Sequence, residues 1–388
     1  MTATATPLAG ALETRHDVAS HLHPSGSFDV ADHAVPTGRE EVWRFSPLRR
    51  LAPLFDDTAA APAEAADYDL PAAYVAPSLA PGQAPRGTVL VPADRPAAIA
   101  SARSEHAVHL RIPAEETVAE PLRLTVTGKG ADRASASHLV VSAGHHSKAT
   151  LVLRHQGSSQ HSGNVEVIVG DGAELTVVSV QDWDDDALHA AQHEALVGRD
   201  AVYRHIAVSV GGGVVRMHSN VRYAGVGGSA ELLGLYFVDA GQHIEHRLFV
   251  DHNNPRGVSN VDYRGALQGE GARSVWIGDV LIRKTADDIS TYEANKNLVL
   301  TDGCRADSVP NLEIETGEIR GAGHSSTTGR FDDEQLFYLR SRGLSEEAAR
   351  RLVVRGFFAS IISKIGVPDL EAYLLETVDR ELEKSERS

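Results

Sequence analysis

The sequence predicts a mainly β protein, built on a solenoid of short strands and closed by C-terminal helices. Short alternating runs rich in β-branched residues recur between residues 122 and 300, each bounded by Gly, Asp, Asn or Ser. No helical pattern of ten or more residues interrupts them, which argues against a βαβ sheet. The turns share a theme of Gly, then Ala, then strand, at Ala149, Ala173, Ala201, Ala230 and Ala272. Their spacings are 173 − 149 = 24, 201 − 173 = 28, 230 − 201 = 29 and 272 − 230 = 42, the last read as two turns of ~21 residues. Aromatic residues make up 5% of the chain, as suits a coil that turns on small residues and stacks aliphatic ones inward. An antiparallel sandwich would give the same strand lengths; the repeating turns favour the solenoid.

Composition narrows the function. A chain of 388 residues can bury a sizeable core, and 42% hydrophobic with 23% charged residues excludes global disorder. With 37 basic and 53 acidic side chains the net charge is −16, against a nucleic-acid partner, whose phosphates need Lys and Arg. No run approaches the ~18 apolar residues of a membrane span. Met1-Thr2-Ala3-Thr4 opens without a basic region and apolar stretch, so a cytoplasmic protein is expected. Cys304 is the single cysteine, which excludes an internal disulfide and a Cys₄ metal site.

Taken in order, residues 1–58 mix helical and irregular signals, with a short helix start at Pro36–Trp43 and Thr37 as its cap. Residues 59–85 carry Pro62, Pro71, Pro77, Pro81 and Pro85 and read as a linker or a surface-hugging segment. Strands are expected at 122–126, 138–141, 150–153, 165–169, 175–180, 206–210, 214–217, 232–237, 244–250, 275–282 and 298–300. Beyond Gly329 the period becomes helical. Asp332 or Asp333 caps a helix with Leu336, Phe337 and Leu339, stopped by Gly343. Ser345 caps the next, whose stripe of Leu352, Val353, Phe357, Phe358, Ile361, Ile362 and Ile365 is broad enough for a partner. Gly366-Val367-Pro368 ends it, and a last helix runs from Asp369. The expected division is 1–86, 87–329 and 330–388.

Several constellations invite chemistry. Gly225-Val226-Gly227-Gly228-Ser229-Ala230 fits a dinucleotide fingerprint, but a strand follows where a helix is required, so it reads as one of the repeating turns. No P-loop motif is present. His145, His146, His243, His246 and His252 suggest metal, without a ligand spacing; on one strand His246 and His252 share a face and His243 takes the other. Asp184-Asp185-Asp186 and Asp287-Asp288 suit glycoside chemistry on a β-helix, or simply solvated loops. The most specific cluster runs from Asn295 through Cys304 to His324 and Gly343. It places the only thiol, and a histidine in a Gly-rich loop, at the end of the solenoid. One Cys and one His cannot complete four cluster ligands, so a cluster there would be shared with another chain. The plainer reading is an inert buried thiol and a histidine bonded to loop carbonyls.

At these residues the sequence resembles the SufB/SufD family of iron–sulfur cluster assembly proteins, and within it the SufD branch. The resemblance rests on Asp251-His252-Asn253-Asn254-Pro255, Tyr263-Arg264-Gly265, Asn295-Lys296-Asn297-Leu298 and the stretch 324–343, with an early match at Glu41–Leu48 around Trp43. It covers most of the chain and is weak over 1–35 and 59–110.

The resemblance implies a right-handed parallel β-helix with a C-terminal helical domain, in a non-catalytic scaffold subunit. It implies pairing with a SufB paralogue through the β-helix. It also implies docking of the SufC ATPase by the C-terminal helices, through Leu336, Phe337, Tyr338, Arg340, Arg342, Phe357 and Phe358. His324 matches the histidine implicated as an iron or cluster ligand at the SufB–SufD interface. Cys304 falls where SufB, more than SufD, carries a cysteine. The SufD pattern Cys-Ser-His-Gly-Ala-Thr is replaced by Ala322-Gly323-His324-Ser325-Ser326-Thr327. Whether a cluster or only iron visits the chain, whether flavin binds the complex, and whether the chain alone forms a homodimer stay open. The alternatives are a polysaccharide-acting β-helix enzyme and a SufB-like member of the family.

Overall fold

A computed structural model describes residues 26–58, 66–331 and 333–385; residues 1–25, 59–65 of the expected linker, Asp332 and 386–388 lie outside it. The chain enters through a one-turn helix α1 (Leu48–Leu51), then β1 (Ala66–Asp69), β2 (Val75–Leu79), helix α2 (Arg95–Arg103) and β3 (Ala107–Ile112). Next come two long strands, β4 (Leu122–Ala143) and β5 (Lys148–Val169), each of which bends from one sheet into a second.

One sheet then continues through β6 (Glu174–Trp183), β8 (Val202–Ser209), β10 (Ser229–Val238), β12 (Val258–Leu267), β14 (Ile289–Val299) and β16 (Ile319–Arg330). The other continues through β7 (Leu188–Val197), β9 (Val214–Tyr223), β11 (His243–His252), β13 (Arg273–Ile282) and β15 (Arg305–Ile314). All these pairings are parallel, and register partners lie 174 − 148 = 26 to 290 − 258 = 32 residues apart. The result is a flattened parallel β-helix with two strands per coil. Its N-terminal end is closed by antiparallel additions, β1 on β4 and β2 on β3.

The repeating alanines sit buried at the turns, as the sequence predicts. The 42-residue spacing is one and a half coils rather than two short ones, because Ala230 opens a strand of the first sheet and Ala272 precedes one of the second. Several strands escape the apolar-alternation reading, notably Leu188–Val197, Val258–Leu267 and Arg305–Ile314. Their inward positions carry His, Ser and other polar residues, so the alternation is broken. The Gly-rich loop expected around His324 is strand β16. Thr37 does not cap a helix: its N–H and Oγ1 donate to Glu40, and only a 3₁₀ turn (Glu41–Trp43) forms.

Both sheets are covered on their outer faces. Helices α4 (Glu346–Ile362) and α5 (Pro368–Ser385), with Ile365 in the turn between them, lay Val354, Phe358, Ile361, Leu374 and Val378 on Val178, Ile206, Val208, Leu233 and Phe237 of the first sheet. Each such buried side chain contributes about 1.5–3 kcal/mol, so the stripe expected to face a partner mostly faces the chain's own sheet. Ser345 caps α4 by accepting from Ala348 N. On the second sheet, Trp43, Leu51, Leu54 and Phe55 pack over Ala190 and Val214. Arg216, 1% exposed, fastens this cover. It donates to Asp94 at 2.6 Å, Glu245 at 3.3 Å and the Val42 carbonyl at 3.1 Å, with its guanidinium 3.8 Å from the Trp43 ring centroid.

The bore between the sheets holds rings as well as aliphatic chains. His155, His161 and His189 cluster with Trp183; His193 and His205 meet at 3.2 Å; His246 stands between Tyr236 and Tyr263; His252 stacks on Tyr223. His246 and His252 thus share the inner face, while His243 points outward to Glu245, as alternation requires. Burial holds these imidazoles neutral, pushing His155 and His205 down to about 4 and His246 and His252 to about 3.

Two outcomes follow from this packing. Arg216→Ala strands two buried carboxylates and should lower the unfolding free energy by about 3–5 kcal/mol in urea titration; a loss below about 1 kcal/mol would contradict the anchoring role. The second concerns pH. Eight buried histidines (109, 155, 161, 189, 193, 205, 246 and 252), with the half-buried His218, have folded-state pKa values below their ordinary 6.5. Below that pH the unfolded chain binds protons that the folded chain refuses. Stability is therefore whole above about 6.5 and falls by about 1.4 kcal/mol per pH unit for each histidine as pH drops toward the folded values. Urea midpoints should fall steeply below pH 6; a flat profile to pH 5 would show that the rings are not neutral and buried.

Candidate functional site

The C-terminal end of the bore is where the sequence cluster converges. Among the described residues β15 and β16 are the last strands of their sheets, each paired on one side only. On β14 the inward positions are Ile289, Thr291, Glu293, Asn295 and Asn297, all buried. The two asparagines build a polar layer across the bore. Tyr236 OH donates to Asn297 Oδ1 at 2.6 Å, Asn295 Nδ2 donates to Tyr236 OH at 2.8 Å, and Ser308 Oγ donates to Asn295 Oδ1 at 2.6 Å. This layer ties the two sheets together one coil from the end.

His324 stands on β16 in register with Glu293 on β14. Partners in a parallel ladder point the same way, so both face the bore. The imidazole is 43% exposed, and its Nδ1 is 3.7 Å from Glu293 Oε1. Glu293 is 1% exposed and neither of its oxygens has a hydrogen-bond partner. Room for the carboxyl comes from Gly278 on β13, where a Cβ would lie 2.4 Å from Glu293 Oε2 and 2.5 Å from the Trp276 ring. Burial, reinforced by Asp279, pushes the Glu293 carboxyl up to about 9. It is a neutral acid at pH 7, so its contact with His324 is not an ion pair.

Cys304 is not part of this group. It lies in the turn between β14 and β15, its Sγ 3.4 Å from the Gly269 carbonyl and 3.6 Å from Thr301 Oγ1, and burial raises its pKa. The Glu293–His324 pair sits six strand positions before the end of β14, or roughly 20 Å along the strand at about 3.3 Å per residue. The thiol and the imidazole therefore cannot hold one ion together within the chain.

The docking residues divide in two. Phe358 is fully buried and Leu336 is 8% exposed, so both belong to the helix packing. Phe357 is partly buried, and its carbonyl accepts from Arg264 at 2.7 Å. On α3 (Asp333–Ser341), Phe337 is 75% and Tyr338 56% exposed, with the Arg342 guanidinium over the Tyr338 ring and Arg340 paired to Glu346. Leu344 and Leu352 are exposed beside them in sequence.

The remaining candidates are dispersed. Asp184 and Asp186 accept from Ser158, Asp288 pairs with Arg320 at 2.9 Å, and Asp287 accepts from Thr316. They are turn residues at the corners of the coils. The buried triad His155, His161 and His189, which no spacing revealed, brings three ring nitrogens within 4.8 Å of one another. Its hydrogen bonds do not suit a metal. Trp183 Nε1–H donates to His189 Nδ1 at 2.9 Å, which places the His189 proton on Nε2, and both nitrogens of His161 are engaged by Ser135 and Ser137. Glu293 was also missed; the available signal was an acid at an inward, period-two position.

Comparison with known proteins bears on this end of the molecule. A family model described as "SUF system FeS cluster assembly, SufBD core domain" matches residues 125–357. A protein of Mycobacterium tuberculosis named as an iron-sulfur cluster assembly SufBD family protein is 52% identical over 368 residues, 93% of this chain and 92% of that protein. One from Mycobacterium leprae with the same family name is 50% identical over 363 residues, 92% and 93% of the two chains. A second M. leprae protein of that family name is 28% identical over 211 residues, 54% of this chain and 24% of its own length.

Proposed function

This chain belongs to the SufBD family of iron–sulfur cluster assembly proteins, and on that premise we propose that it is a SufD-like, non-catalytic scaffold subunit. In this reading a SufB-like paralogue closes the open end of the β-helix, and iron or a nascent cluster is held between the two chains at His324. The observation that carries it is the open end itself. Two edge strands offer unpaired backbone groups there, around a half-exposed imidazole at the mouth of the bore. Two similar chains meeting end to end about a pseudo-twofold axis would continue both sheets with antiparallel edge pairing. The presence in M. leprae of two SufBD proteins of different length and divergence from this chain supports a pair of paralogues over a self-sufficient chain.

The same reading gives the ATPase partner to α3 and the start of α4. Support comes from the exposed Phe337, Tyr338, Leu344 and Leu352, four large apolar side chains left uncovered within one short stretch. Phe357 and Phe358 serve instead to fix the helices to the sheet.

Three outcomes test the proposal. Native mass spectrometry of the complex purified anaerobically should find this chain with a paralogue and P-loop ATPase subunits, and Phe337→Ser should weaken ATPase binding about 10- to 30-fold without changing the thermal midpoint. Unchanged affinity would remove α3 from the contact. His324→Ala should leave assembly intact and reduce cluster yield by about tenfold; an unchanged yield would remove His324 from the site.

A further inference from the structure

We propose that Glu293 is the second protein ligand, beside His324, of a divalent first-row transition-metal ion at the open end of the bore. The inference rests on the reading of His324 as a ligand and adds to it a residue and a ligand class. Two donors bound about 2.1 Å from one ion stand about 3.0 Å apart in octahedral and 3.4 Å in tetrahedral geometry. His324 Nδ1 and Glu293 Oε1 are 3.7 Å apart, too far for a hydrogen bond and a few tenths of an ångström from a chelating pair. The carboxyl is buried without a hydrogen bond to either oxygen. Such a group costs free energy unless something arrives to satisfy it, and a cation satisfies it fully. Gly278 is what lets the carboxyl sit there, since a Cβ at that position would lie 2.4 Å from Oε2.

The donor set also selects the cargo. One imidazole nitrogen and one carboxylate oxygen suit Fe²⁺, Mn²⁺, Co²⁺ or Zn²⁺, whereas a cluster needs thiolates, and Cys304 lies beyond the far end of β14, in the β14–β15 turn. The chain by itself therefore takes a bare ion, its remaining coordination positions facing the open end, where solvent or the second chain completes them. On binding, the acid's O–H bond is replaced by an O–metal bond and the proton leaves to solvent, with no change of oxidation state.

The full-length chain, titrated anaerobically with Fe²⁺ by calorimetry and with Co²⁺ by visible absorption, tests this. Wild type should bind one ion with an N/O-type cobalt spectrum. Glu293→Gln, which matches the shape of the neutral acid, should keep the thermal midpoint and lose at least tenfold in affinity, as should His324→Ala. Glu293→Asp, which keeps a carboxylate on a shorter stem, should recover part of the loss. If His324→Ala weakens binding and Glu293→Gln does not, the inference is overturned while the role of His324 stands. If wild type binds no ion, or neither variant alters binding, both are overturned.

Discussion

A parallel β-helix cannot end without leaving two strands half-paired and its bore open, and the rest of this structure is arranged around that constraint. At the N-terminal end the chain solves the problem internally, by folding β1 and β2 back antiparallel onto β4 and β3. At the C-terminal end no strand among the described residues pairs with the outer edges of β15 and β16. Long exposed edges are an aggregation hazard that proteins usually blunt. Leaving them bare is consistent with another chain covering them. The helices that might have closed this end are committed elsewhere, packed along the outer face of the first sheet by Phe358, Ile361 and Leu374.

The bore explains how polar chemistry reaches that opening. Several of its rings and amides pair with one another: Ser209 with His246, Ser259 with His252, Tyr236 with Asn295 and Asn297. Matched polar groups in a low-dielectric interior fix one register of the two sheets, and the same burial that makes them rigid keeps the imidazoles uncharged. Glu293 differs in that both of its polar side-chain atoms are buried without a partner. It is the acid that faces the bore without a hydrogen bond, and it stands next to His324, where the bore meets the outside.

Much of this was legible in the sequence, and the failures have physical causes. The buried Ala at each turn and the aliphatic runs reported a solenoid because those positions answer only to packing. The cap at Ser345 and the stop at Gly366 were readable because helix ends obey local rules. Strand β7 was missed because its inward side carries His189, Ala191 and His193 where a hydrophobic pattern was sought. The stripe of α4 was read as a partner surface because a sequence does not say whether an apolar face meets another chain or its own sheet. The exposed Phe337 and Tyr338 became distinguishable only once the sheet had covered Phe358. His324 was found as a residue and misplaced as a loop, since the glycines of an exposed edge strand look like turn glycines. Its neighbour Glu293, 31 residues earlier in sequence, was invisible until register set the two side by side.

The central claim is that the open C-terminal end of this β-helix is completed by a second chain. Amide hydrogen exchange, measured on the chain alone and after adding its paralogue, tests it most directly. The account predicts slow exchange of the β6–β12 amides in both states, and fast exchange in β15 and β16 that becomes slow when the paralogue binds. Binding that protects other surfaces and leaves 305–330 in fast exchange would contradict it.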